Sequence, residues 1–120
     1  MKTIVENDIN MLSVYEIFEY RFSSAIKRNR SKYPLLQGGW KIIIKDLPDE
    51  VWVIDLSKHE EYNKKGDADA NVVISLSSQL LMDIINNARE PIEAFTQGAI
   101  QISGIKDIGL LTNFARLIFS

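Results

Sequence analysis

Cysteine is absent from these 120 residues, which removes disulfides, zinc thiolates and thiol nucleophiles at once. Histidine occurs once, as His59, between Lys58 and Glu60 in a polar stretch. One imidazole without partners at matching spacing builds neither a zinc site nor a hydrolytic triad, so His59 reads as an ordinary exposed side chain. A basic excess is lacking too. Fourteen Lys and Arg against 16 Asp and Glu give a net charge of -2, against the positive charge a general nucleic-acid binder needs for its phosphate contacts. No apolar run approaches the roughly twenty residues that span a bilayer, and the opening MKTIVENDIN lacks the apolar core of a signal peptide. Nucleophile elbow, phosphate-binding loop, dinucleotide fingerprint and HExxH helix are all missing. Gly38 and Gly39 precede a strand rather than a helix N-terminus, so they make no phosphate cradle. The expectation is a soluble, cytoplasmic, non-enzymatic protein with no metal or cofactor, folded as a single domain over residues 1–120. With 46% hydrophobic residues, such a domain buries about two-thirds of its unfolded surface, enough for one core.

The stretch from Asn71 to Gly104 organises the rest. Val72, Ile74 and Leu76 alternate with Val73, Ser75 and Ser77, the period of a strand with one buried face. Helical spacing then takes over: Ser77 or Ser78 can cap a helix that places Leu81, Ile84 and Ile85 on one side. Pro91 suits the first position of another helical turn, where its missing N–H would be unpaired anyway, and Ile92 and Phe95 share a face. Gly98 ends that turn, and Ile100 and Ile102 begin a further strand that closes at Gly104.

Earlier in the chain, Met11, Tyr15, Phe18, Phe22 and Ile26 recur at close to helical spacing, which predicts an amphipathic surface helix from about Asn10 to about Arg28. The KRNRSK run that follows is the only basic cluster; Lys27, Arg28, Arg30 and Lys32 in it are candidates for transient contact with an anionic membrane surface, although a solvated helix end is the plainer expectation. Two strands come next, Trp40 to Lys45 and Val51 to Leu56, turned by Pro48 and Asp49. Each offers one face with a tryptophan and two aliphatics: Trp40, Ile42 and Ile44, then Trp52, Ile54 and Leu56. Lys58 to Asp69 is polar and reads as a loop with at most a short edge strand near Tyr62. Asp55 is the one strand carboxylate that could act as a desolvated base; the plainer expectation is that it accepts hydrogen bonds from the loop after it. The closing segment starts at a capping Asp107 and is apolar over most of its circumference, through Ile108, Leu110, Leu111, Phe114, Ala115, Leu117, Ile118 and Phe119. It must close over a hydrophobic pocket, sink into its own core, or meet a second molecule as a homodimer.

The WVIDL run at Trp52 to Leu56, the ANVVISL run from Ala70, and above all PIEAFTQGAIQISG from Pro91 to Gly104 resemble the sterol carrier protein type 2 domain, also called nonspecific lipid-transfer protein. The resemblance covers Trp40 to Leu117 and rests most on the spacing of Pro91, Ala94, Phe95, Gly98 and Gly104. It implies an α+β fold: a five-stranded, mostly antiparallel curved sheet covered on one side by helices, with a hydrophobic tunnel for fatty acyl chains, sterols or other lipids, and no catalytic residues. Departures are Asn71 where the family usually has Asp, Asn87 in place of a helix-ending glycine, and a short, charged loop at Lys58 to Asp69. The final Ile118-Phe119-Ser120 is no peroxisomal targeting tripeptide. Leu81, Ile84, Ile85, Phe95, Ile100, Ile102, Leu111 and Phe114 are the expected ligand-binding residues. The rival expectation is an accessory module that dimerises or docks on an enzyme of lipid or isoprenoid-quinone metabolism.

Overall fold

The computed structural model describes residues 14–34, 36–58, 63–104 and 107–119. His59, Met11 and Tyr62 lie outside them. Five strands form one sheet: β1 (Gly39–Ile44), β2 (Val51–Asp55), β3 (Asn63–Lys65), β4 (Val72–Leu76) and β5 (Gln101–Ser103), in the order β3-β2-β1-β4-β5. The hairpin β1–β2, β2–β3 and β4–β5 are antiparallel, while β1 and β4 run parallel at the centre. Mostly antiparallel is therefore correct, with one parallel seam. The turn after β1 is closed by Leu47 N–H donating to Ile44 O and Glu50 N–H to Leu47 O, around Pro48.

Side-chain alternation decides which face is covered. Trp40, Ile42, Ile44, Trp52, Ile54, Leu56, Val72, Ile74 and Leu76 are all buried, on one face. Their neighbours Lys41, Ile43, Val51, Val53 and Val73 stay half-buried on the other, where Lys41 pairs with Asp67 at 2.7 Å. Helices cover the first face. After residues 14–16, a π-helical stretch Ile17–Phe22 leads into α1 (Ser23–Asn29) and a 3-10 turn at Arg30–Lys32. Next come α2 (Ser78–Ile85), α3 (Pro91–Thr96) and α4 (Ile108–Phe119).

The first helix departs from the expected strip. Tyr15 is 40% exposed, whereas Val14, Ile17, Phe18, Phe22, Ala25 and Ile26 are buried. A four-residue step overshoots the 3.6-residue α turn and undershoots the wider π turn, so the mixed helix keeps Val14, Phe18, Phe22 and Ile26 in line. Phe18 stacks on Trp52 at 5.0 Å and Phe22 meets Phe119 edge-on at 5.5 Å, which seats the helix in the core rather than on it. Asn63 Nδ2 donates to the Phe18 carbonyl, tying the three-residue edge strand β3 to the π turn.

The caps follow the sequence. Ser77 Oγ accepts from Leu80 N–H at the start of α2, Pro91 opens α3, and Asp107 Oδ1 accepts from Gly109 N–H at the start of α4. Asn87 stands in the left-handed conformation at φ 61°, as a substitute for glycine after α2 must. Gly104 is needed for another reason: a Cβ there would lie 2.0 Å from the Asn71 carbonyl oxygen. No helix among the described residues is long and apolar enough to cross a membrane.

Candidate ligand cavity

The buried face of the sheet and the helices over it do not meet completely. Between them lies an apolar void of about 50 Å³. Its floor is Ile42, Ile74, Leu76 and Ile102 from the sheet, together with Ile100 just before β5. The register puts Ile74 beside both Ile42 and Ile102, so three neighbouring strands contribute a continuous aliphatic row. Leu81 and Ile84 of α2 form one wall, Pro91, Ile92 and Phe95 of α3 another. The terminal helix α4 roofs the void with Leu111, Phe114, Ala115, Ile118 and Phe119, and Phe22 closes the end nearest the first helix.

Seven of the eight residues expected from sequence line this void: Leu81, Ile84, Phe95, Ile100, Ile102, Leu111 and Phe114. Ile85 does not. It lies with Met82, Ile17, Tyr20 and Arg21 in a separate groove between α2 and the π-helical stretch, because α2 is apolar over an arc wide enough to face two neighbours. Sequence reasoning left out the floor residues Ile42, Ile74 and Leu76, as well as Phe22, Pro91, Ile92, Ala115, Ile118 and Phe119 from the lining. The alternation along β1 and β4 marks the floor residues as buried, but only the pairing of the two strands brings them under the same helices.

Among the described residues, the wall of the void carries no titratable side chain. Its shape is held from behind. Trp40 stacks on Phe114 with ring centroids 3.9 Å apart and planes 3° off parallel, and buried Asn29 donates through Nδ2 to the Leu117 carbonyl at 3.3 Å. Leu117 lies in the last turn of α4, where carbonyls lack intrahelical donors, so Asn29 satisfies one of them from another helix.

The other candidates resolve differently. Asp55 accepts from Ser57 Oγ at 2.5 Å and Ser57 N–H at 3.0 Å, and these bonds hold its carboxyl below the ordinary value of 3.8. A base poised by desolvation would show the opposite direction, so the strand carboxylate belongs to the turn after it. In the basic cluster, Arg30 donates to the Leu56 carbonyl at 2.5 Å and to the Lys58 carbonyl, so it serves the end of β2, and Asn29 faces inward. In α4, Leu111, Phe114, Leu117 and Ile118 are buried within the chain, while Ile108 is 53% exposed. The helix thus closes over the pocket.

The fold and the cavity together define a small α+β domain with an apolar space between its sheet and its helices. Residues 22–119 match the model of the SCP-2 sterol transfer family. The chain belongs to that family. Among solved structures, palmitated sterol carrier protein 2-like 2 from Aedes aegypti aligns at a TM-score of 0.67 and 21% identity, covering 88% of this chain and 94% of that one. Aedes aegypti sterol carrier protein 2 in complex with palmitate aligns at 0.66 and 18%, covering 88% and 96%. Sterol carrier protein domain 2 of Helicoverpa armigera aligns at 0.65 and 21%, covering 88% and 87%. At these identities the likeness establishes the fold. No curated protein matches the chain.

Proposed function

We propose that the chain binds and carries a hydrophobic ligand, a fatty acid, fatty acyl chain, sterol or other lipid, between the sheet and α2, α3 and α4, without catalysing a reaction on it. The observation that carries the proposal is the void itself, an apolar space in a fold whose Aedes aegypti examples hold palmitate. Close packing normally leaves few voids larger than a water molecule. A space of this size, walled by side chains from three strands and several helices, is a place for an oily chain. The ligand-binding residues we assign are Leu81, Ile84, Phe95, Ile100, Ile102, Leu111 and Phe114, with the floor and mouth residues around them. We assign the whole of residues 1–120 to this one domain and the carriage to the cytoplasm.

Each methylene moved out of water contributes about 0.8 kcal/mol, so a ten-carbon chain gains about 8 kcal/mol before ordering costs. That corresponds to affinity no tighter than about micromolar. Native mass spectrometry of protein purified without detergent should show a co-purified lipid, and titration with a fluorescent fatty acid should saturate in the micromolar range. Ligand-free protein that ignores the fluorescent fatty acid would refute carriage. A concentration-dependent dimer that vanishes on trimming Ile118 and Phe119, with lipid binding unaltered, would instead favour the accessory-module reading.

A further inference from the structure

The void reaches the surface between α3 and α4. Its deep residues Ile42, Leu76, Leu81 and Phe114 are buried, whereas Pro91, Ile92, Ala115 and Phe119 are half-buried. Those last four also line a surface hollow of about 240 Å³. The remaining wall of that hollow is polar: Glu90, Thr112 and Arg116. An amphiphile whose tail enters the void therefore leaves its polar end among these three groups.

Two of the three are already engaged. Glu90 caps α3, its carboxylate accepting from Ile92 N–H at 3.2 Å and Glu93 N–H at 2.7 Å. Thr112 Oγ1 donates to the Ile108 carbonyl one turn back at 2.9 Å. Arg116, one turn beyond Thr112 on α4, is exposed and makes no hydrogen bond or ion pair with a described residue. A guanidinium presents paired N–H groups that match the two oxygens of a carboxylate. Glu90 beside it disfavours a head group carrying two negative charges.

We propose that Arg116 is the head-group residue of this cavity, pairing with the carboxylate of an ionised single-chain fatty acid whose tail lies in the void. The proposal rests on the reading of the void as a lipid site and adds a preference to it: a fatty acid over the neutral lipid of equal chain length. Because Arg116 is exposed, its pairing is screened, and the preference is modest, about four-fold.

The test is calorimetric titration of the wild-type chain, Arg116→Gln, Arg116→Glu and Arg89→Gln with laurate, dodecan-1-ol and dodecyl phosphate. Arg89 donates to Gln97 and lines neither space, so it is the control cation. Wild type should bind laurate about four-fold more tightly than dodecanol, less so in molar salt. Arg116→Gln should bring the two to parity by weakening laurate alone, Arg116→Glu should reverse the order, and Arg89→Gln should change neither. Equal binding of laurate and dodecanol by wild type, or a preference that survives Arg116→Gln, overturns the head-group assignment while the lipid site stands. Dodecyl phosphate binding more tightly than laurate overturns the carboxylate assignment. A wild-type chain that binds none of the three overturns the lipid site itself.

Discussion

Replacing Ala115 by valine fills part of the void and should separate stability from binding. Ala115 sits on α4 at the edge of the void, half-buried, between Phe114 and Ile118 in the lining. A water-sized group needs about 10–15 Å³ of such a void, so the about 50 Å³ present has room for the two carbons that valine adds. Their burial contributes about 1.6 kcal/mol, and the lower helix propensity of valine takes back about 0.5 kcal/mol. The variant should therefore be about 1 kcal/mol more stable, a rise of about 4 °C in Tm, read by thermal unfolding followed by circular dichroism. A fatty acid that needs the same space loses room for two carbons, about fifteen-fold in affinity for laurate. Leu111→Ala should do the reverse, costing about 2–5 kcal/mol of stability while enlarging the site and keeping or improving laurate binding. If Ala115→Val lowers stability and leaves laurate affinity untouched, the void is not where a ligand goes.

Three further outcomes follow from groups away from the void. Asp46 accepts from Ser78 N–H at 2.7 Å and from Ser78 Oγ, and these bonds hold its carboxyl below the ordinary 3.8. A lowered folded-state value stabilises the fold above the unfolded-state pKa, so stability should be level from pH 5 upward and fall as pH drops below about 4; Asp46→Asn should remove part of that acid slope in urea titrations. Gly104→Ala should cost more than the about 1–2 kcal/mol of a left-handed alanine, because its Cβ would lie 2.0 Å from the Asn71 carbonyl oxygen; Gly98→Ala, with open space around it, should cost no more than that strain, as read by chemical denaturation. Asn29→Ala leaves the Leu117 carbonyl without its donor and should destabilise by about 1–3 kcal/mol, with hydrogen exchange rising first in the last turn of α4.

Local chemistry was the legible part of this fold. Alternation in Trp40, Ile42 and Ile44 and in Val72, Ile74 and Leu76 picks out the covered face, because a strand shows alternate side chains to opposite sides. Pro91, Asn87, Gly98 and Gly104 mark element ends through backbone conformations that few other residues adopt. What the pattern along the chain does not carry is which distant elements meet. The parallel seam of β1 with β4 and the resulting row of Ile42, Ile74 and Ile102 depend on pairing between segments far apart in sequence. The π turn is equally invisible to a search at 3.6-residue spacing, which is why Tyr15 was expected inside and Val14 was passed over. Ile85 marks the same boundary, since its spacing from Leu81 places it on the apolar side of α2 but does not say which of two partners that side faces.

The size of the void carries the last step. A water-sized group needs about 10–15 Å³ of such a void, so the about 50 Å³ present takes about four of them against the twelve carbons of laurate, and a bound chain must part the walls. The floor resists, because β1 and β4 are each hydrogen-bonded to strands on both sides. The roof resists too, through the stacking of Phe114 on Trp40 and the bond from Asn29 to Leu117. The wall made by α2 is anchored by buried Leu80, Leu81 and Ile84 and by the bond from Ser78 N–H to Asp46, which leaves α3, six residues long, with Ala94 its one buried side chain and Pro91, Ile92 and Phe95 half-buried. Left-handed residues stand on both sides of it, at Asn87 and Gly98, where backbone rotation can swing the helix as a unit. Hydrogen exchange should therefore be faster in α3 than in α2 or the middle of α4 in ligand-free protein, and laurate should slow it most in α3. Protection in α3 equal to that of α4, unchanged by saturating laurate, would mean that the chain enters by another wall.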